Sequence, residues 1–270
     1  MATVDGVRLH YLDRGTGDPV LVLLHAFPLH AGMWAPQLEA LSARVRVIAP
    51  DLVGFGGSDV PDDPDAYSVE AWADSVAGLA NHLGLDRIVL AGLSMGGYVA
   101  FSFLRRHRAR LAGLVLADTR PGPDTNEAAE RRSAQQRQVA EEGTAGLIDT
   151  LVQGLLSEHT RLRRPELVDA ARHLMDSPPA GYVGALEAMK RRPDSTPELT
   201  GIDVPTMVVV GEEDALSPPD VARDMLAVIP GAELSVLAGA GHLSNLEAVD
   251  AFNATVMGLL GRCQEPPHPR

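Results

Sequence analysis

The sequence predicts an α/β protein, with a mostly parallel central sheet, helices on both faces, and a helical cap inserted between two core strands. Short apolar runs rich in Val, Ile and Leu recur along the chain. Runs without polar alternation suit strands buried on both faces of a sheet. Stretches with apolar residues three and four apart separate them, as crossover helices require. One long interval near the middle carries helical pieces and reads as free of strands.

In chain order, 7–12 reads as a strand turning back in a hairpin at Arg14-Gly15-Thr16-Gly17-Asp18-Pro19, where Gly and Pro mark a reversal. Strands are then expected at 20–24, 45–49, 87–91 and 113–117, and beyond the interval at 206–210 and 233–237. Helices are expected at 33–43, 69–83, 95–106, 219–228 and 246–260. Over 120–200 the alternation breaks, and 127–141 and 165–175 read as helices there. The expected layout is a core made of 1–119 and 201–262, a helical cap over 120–200, and a disordered tail over 263–270. Three prolines and no periodicity in Gln264-Glu265-Pro266-Pro267-His268-Pro269-Arg270 motivate the last assignment.

A chain of 270 residues suits one globular unit. Its net charge of −13 speaks against nucleic acid and anionic membrane as partners, since a phosphate footprint needs clustered Lys and Arg. No apolar run approaches the roughly 20 residues that span a bilayer. The start, Met1-Ala2-Thr3-Val4-Asp5, lacks the basic and apolar regions of a leader peptide. Cys263 is the single cysteine, so no intrachain disulfide is expected. A soluble, cytoplasmic protein follows.

The sharpest chemical signal is Gly92-Leu93-Ser94-Met95-Gly96-Gly97, a G-x-S-x-G directly after an expected strand and before an expected helix. A serine there sits on a tight turn at the sheet end, and the helix behind it favours developing negative charge. Its hydroxyl needs a base with a pKa near 7 and a third group to hold that base. His242, in the small-residue loop Ala238-Gly239-Ala240-Gly241-His242 after the last expected strand, suits the base. His10, His82, His107, His159, His173 and His268 fall on an outer strand, helix surfaces, the cap or the tail. Asp214 ends Val210-Gly211-Glu212-Glu213-Asp214 just past a core strand and suits the orienting acid. Asp118, at the end of the preceding strand, is its rival.

An oxyanion needs donors. The Met95 N–H follows the nucleophile, and the Phe27 N–H lies in the early loop Leu24-His25-Ala26-Phe27-Pro28; Pro28 has no N–H to offer. His25 reads as a brace for that loop. His25 and His30 lack a matching cluster of further ligands, so no metal site is expected.

These motifs, with Pro50-Asp51-Leu52-Val53-Gly54-Phe55-Gly56-Gly57-Ser58, resemble the α/β-hydrolase superfamily in content and order over almost the whole chain outside the cap. Gly92 to Ala100 and Gly241-His242-Leu243-Ser244-Asn245-Leu246-Glu247 look like the small carboxylesterases and 3-oxoadipate enol-lactonases. One departure is Ala26, where the family usually has glycine before the oxyanion residue. The resemblance implies hydrolysis of a small-molecule ester or lactone through an acyl-enzyme on Ser94, with no metal or organic cofactor. A serine at the nucleophile position disfavours a haloalkane dehalogenase, which uses aspartate; a cofactor-free haloperoxidase or perhydrolase shares the triad. A small-molecule receptor on the same fold is the non-enzyme alternative. Leu151, Leu155, Met175, Tyr182 and Met189 in the cap either line an apolar pocket or simply pack, and Phe27, Trp34 and Met95 lie near the site in the chain.

Overall fold

The computed structural model describes residues 1–264. Nine strands form, namely β1 (Ala2–Val4), β2 (Val7–Leu9), β3 (Tyr11–Arg14), β4 (Leu21–Leu24), β5 (Val47–Pro50), β6 (Ile88–Leu93), β7 (Leu111–Ala117), β8 (Thr206–Gly211) and β9 (Glu233–Leu237). Seven build the central sheet in the order β3-β5-β4-β6-β7-β8-β9, and only β3 runs antiparallel to its neighbour. Every residue of β4, β5, β6 and β8 is buried, which is why these strands read as unbroken apolar runs.

The amino-terminal hairpin departs from expectation. The segment 7–12 is two strands, and β2 pairs with β1, reversing at Asp5 and Gly6, both with positive φ. Asp-Gly is a favoured two-residue hairpin turn. After the turn at 14–19, β4 does not lie beside β3, because β5 is inserted between them.

Core helices α1 (Ala35–Leu41), α2 (Val69–His82) and α3 (Met95–His107) occupy the first half of the chain. Five helices lie between β7 and β8: α4 (Asn126–Glu142), α5 (Ala145–Leu155), α6 (Glu158–Arg163), α7 (Pro165–His173) and α8 (Pro179–Arg191). After β8 come α9 (Pro219–Val228), the one-turn α10 (Ser244–Glu247) and α11 (Val249–Gln264). Helix α11 continues through Cys263 and Gln264, which corrects the start of the expected tail: apolar residues up to Leu260 hold the helix on the core and carry its last turn with them. The rest of that tail, 265–270, lies outside the described residues. Among the described residues no helix is long and apolar enough to cross a membrane.

Two apolar clusters cover the sheet. One contains Trp72, Phe101 and Phe103 on the α2 and α3 side; the other contains Trp34 and Phe252 on the α1 and α11 side. The carboxyl ends of β6, β7 and β8, fixed between these layers, carry the loops that matter below.

Candidate active site

Strand β6 ends at Leu93 and α3 begins at Met95, so the reversal from strand to helix is concentrated in Ser94. Its φ of +54° and ψ of −112° are rare for a side-chain-bearing residue, and such strain persists only where the surroundings over-determine it. The Ser94 N–H donates to the Ala117 carbonyl (2.9 Å), and the Thr119 hydroxyl donates to the Ser94 carbonyl (2.9 Å). Glycines clear the space. A Cβ on Gly92 would lie 2.2 Å from the Gly96 carbonyl oxygen, and one on Gly96 would lie 2.3 Å from that of Leu24. A serine before a helix ordinarily caps the first-turn N–H groups. Ser94 makes no such bond, which leaves its Oγ for another partner.

That partner is His242. Its Nε2 lies 2.7 Å from Ser94 Oγ, and its Nδ1 lies 2.8 Å from Asp214 Oδ2. With Nδ1–H donating to the carboxylate, Nε2 is left to accept the serine proton. His242 and Asp214 are each 2% exposed, so solvent does not compete for these bonds. Asp214 Oδ1 accepts from the N–H groups of Leu216 (2.8 Å) and Ser217 (2.9 Å), which fixes the carboxylate in the turn after β8. Burial by itself lowers the His242 pKa. The charge and hydrogen bond of Asp214 oppose it, Asp118 adds to them and Arg120 subtracts, and the balance lies above the ordinary imidazole value.

Asp118, the rival acid, meets other partners. Its Oδ1 accepts from the Gly211 N–H (2.8 Å) and its Oδ2 from the Ser244 hydroxyl. Burial, and then the charge of Asp214, pushes its carboxyl well above the carboxylate range. It therefore braces the ends of β7 and β8 against the loop of His242.

The expected oxyanion donors stand close by in the fold. Met95 opens α3, so its N–H has no acceptor within the helix. Phe27 borders the cavity in front of Ser94, and its N–H bonds to no backbone carbonyl among the described residues. Ala26 is fully buried, with its N–H 3.3 Å from Met33 Sδ. His25 Nδ1–H donates to the Ala26 carbonyl (3.0 Å) and its Nε2 accepts from the Leu52 N–H (3.0 Å). Burial lowers its pKa to about 4, so it is a neutral brace.

A cavity of about 200 Å³ opens onto Ser94 and His242. Of the cap residues considered from sequence, Leu151, Leu155 and Met189 border it. Met175, Tyr182 and Trp34 are instead fully buried, and the Tyr182 ring packs edge-on against Phe27 at 5.4 Å. Sequence reasoning missed a polar arc on the cavity wall, made by Arg120, Asp124, Arg131 and Arg132. Only Arg120, just past the end of β7, carried a positional signal.

A joint ties the five-helix segment to the histidine loop. Glu247 accepts from the N–H groups of Gly241 (2.9 Å) and Ser157 (3.0 Å), and the Leu243 N–H donates to the Leu155 carbonyl (3.0 Å).

A bonded serine and histidine at the carboxyl edge of a sheet in this strand order mark the hydrolytic α/β class. The chain belongs to the α/β-hydrolase fold family, whose model matches residues 19–249. It is 41% identical to a thermophilic esterase from Thermogutta terrifontis solved with malate bound, over 97% of this chain and 98% of that one, with a TM-score of 0.92. An enol-lactonase from Burkholderia xenovorans LB400 is 32% identical over 96% of this chain and 99% of its own, with a TM-score of 0.89. The 2-hydroxy-6-oxononadienedioate/2-hydroxy-6-oxononatrienedioate hydrolase of Escherichia coli (strain K12) is 30% identical, over 95% of this chain and 92% of that protein.

Proposed function

We propose that the chain is a serine hydrolase that cleaves carboxylic esters or lactones of small molecules through an acyl-enzyme on Ser94. The observation that carries this reading is the unbroken hydrogen-bonded line from Ser94 Oγ through His242 to Asp214, at 2.7 Å and 2.8 Å. Ser94 Oγ attacks the carbonyl carbon while His242 Nε2 takes its proton, and Asp214 stabilises the imidazolium that forms. The carbonyl oxygen, now negative, is met by the Met95 N–H at the positive end of α3 and by the Phe27 N–H. His242 returns the proton to the departing alkoxide, leaving the acyl group on Ser94. A water molecule then attacks that ester with His242 again as base, releasing the acid and restoring Ser94. The scheme needs no metal or organic cofactor.

In this reading residues 120–200 are the cap and set substrate choice. The support is that α4, α5 and α8 contribute Arg131, Leu151 and Met189 to the wall of the cavity. The lactone arm of the proposal draws support from the 32% identity to an enol-lactonase.

Hydrolysis of p-nitrophenyl acetate and butyrate, and labelling by a fluorophosphonate probe, are expected of the wild type and lost in Ser94→Ala. Tight ligand binding without turnover would point to a receptor on the same fold and sink the enzyme reading. A panel of aryl esters, enol-lactones and peracid formation separates the arms; lactone opening far faster than aryl-ester cleavage marks a lactonase.

A further inference from the structure

Stabilising an oxyanion at Ser94 requires two segments from distant parts of the chain to keep a fixed spacing. One is 25–34, after β4, which carries Phe27; the other is 238–247, after β9, which carries His242. Each has braces of its own. On the first, the Asp51 carboxylate accepts from the Ala31 N–H (2.6 Å) and His25 from the Leu52 N–H (3.0 Å). On the second, Glu247 holds Gly241 and Asp118 holds Ser244.

Asn245 joins the two segments. It lies in α10, just past His242, and is fully buried. Its Nδ2 donates to the Met33 carbonyl (3.0 Å) and to Gln37 Oε1 (3.1 Å). Met33 belongs to the 3-10 turn Ala31–Trp34 that closes the first segment, and its Sδ accepts from the Ala26 N–H (3.3 Å). A line of contacts therefore runs from the base loop to the residue directly before Phe27. Gln37 fixes the direction of Asn245, because its Nε2 donates to the Asn245 carbonyl (3.0 Å) and to Asn253 Oδ1 (3.1 Å).

These three amides sit on α1, α10 and α11, whose other buried residues include Leu38, Leu41, Leu246 and Phe252. Buried amides are destabilising unless bonded, and Asn245 Oδ1 has no partner among the described residues. Apolar side chains would fill the same space without that requirement. What the network supplies instead is direction, since bonded polar groups specify one arrangement where apolar packing tolerates several.

We propose that Asn245 is a positioning residue for the reaction: through the Met33 carbonyl and sulfur it sets the Phe27 N–H at the distance from Ser94 and His242 that a tetrahedral oxyanion needs. The proposal rests on the serine-hydrolase reading above, with Phe27 as a donor. Asn245 touches no substrate and moves no proton, so its effect falls on the transition state.

Asn245→Leu and Asn253→Leu test it as a pair. Leucine keeps the shape in both and breaks the same network, but the Asn253 side chain bonds Gln37 alone among the described residues. Active sites are counted by fluorophosphonate labelling taken to completion. Per active site, kcat/KM for p-nitrophenyl acetate is expected to fall about tenfold to a hundredfold in Asn245→Leu, the scale of a misplaced reacting group, and no more than about threefold in Asn253→Leu. The Ki of propyl trifluoromethyl ketone, whose adduct with Ser94 carries the oxyanion, should rise by the factor by which kcat/KM falls. The acidic limb of the pH profile should stay in place, because the bonds of His242 to Ser94 and Asp214 are untouched. Met33→Leu, a volume-conserving exchange, removes only the sulfur contact to Ala26 and should show the same coupled change at smaller size; it decides the matter if Asn245→Leu does not fold. Equal losses in the two asparagine variants, an unchanged Ki beside a lower kcat/KM, a shifted acidic limb, or Met33→Leu matching wild type would each overturn the proposal and leave the hydrolase standing. No Ser94-dependent turnover in the wild type would instead bring down the reading beneath it.

Discussion

The layered core and the segment between β7 and β8 are held by different forces. In α3, ten of thirteen residues are buried, packed between β6 and α2. In α4, a helix of seventeen residues, only Val139 is buried. Polar contacts hold α4 instead: the Gln136 amide donates to the Val183 carbonyl (3.1 Å) and to Glu187 (3.1 Å), and Arg132 and Arg192 meet at Asp124. Close packing defines atom positions more tightly than half-buried polar contacts such as those of Gln136 do, and only the buried Asp124–Arg192 pair ties the segment down with comparable firmness. In the proposed function, proton transfer falls to the first kind of scaffold and selection among substrates to the second.

The largest expected effect tests the core side of that contrast. Ser94→Ala should lower kcat by roughly 10⁴-fold or more for every substrate, because the remaining residues of a triad do little alone. Next, Asp214→Asn should lower kcat by about 10³- to 10⁴-fold through loss of histidine orientation, while Asp118→Asn should fall by no more than about tenfold. The opposite ranking in steady-state kinetics would transfer the orienting role to Asp118.

Asp124→Ala probes the other region. It strips the buried Arg192 of its partner, and a lost buried ion-pair partner costs about 3 kcal/mol. Urea denaturation should register that loss, with kcat for a small acetate ester within about tenfold of wild type if α4 governs selection alone. A kcat loss as deep as that of Asp214→Asn would erase the distinction drawn here. The smallest effect is on pH. His242 must be neutral to act as base, and its pKa is raised by Asp214 against the burial that lowers it, so the acidic limb of kcat/KM should lie above pH 6.5. Activity is present above the limb and lost below it. Arg120→Gln removes a cation that lowers this pKa, so the limb should move upward; a downward move would show that Arg120 does not act on the imidazole.

Much of this was legible in the residues. The expected strands at 206–210 and 233–237 match β8 and β9 to within one residue; β8 is buried throughout and leaves an unbroken apolar run, whereas β9 is an edge strand in which only Leu237 is buried. The three residues brought together at the sheet edge were each marked by a motif in a loop after a strand. What escaped has physical reasons. Helix α8 contains Gly181 and Gly184, which argue against a helix locally. Both are demanded by contacts far away in sequence: a Cβ on Gly181 would lie 2.0 Å from the Gly54 carbonyl oxygen, and one on Gly184 would lie 2.3 Å from the Tyr67 ring. Helix α5 is flanked and interrupted by Gly143, Gly146 and Gly154, which masked its apolar stripe of Leu147, Leu151 and Leu155. The placement of β5 between β3 and β4 is a pairing choice that no local pattern encodes. The arginines of the cavity wall escaped because the face that α4 turns inward depends on how it docks.

The Glu247 joint limits how the molecule can breathe. One carboxylate grips backbone from both regions at once, next to the imidazole. Any displacement of the α5–α6 corner would be passed through Glu247 to the loop of His242 and would shift its imidazole from Ser94. An opening made on the α4 side would leave the contact of Ser94 with His242 undisturbed, whereas one made at the α5–α6 corner would pull on the loop that carries His242.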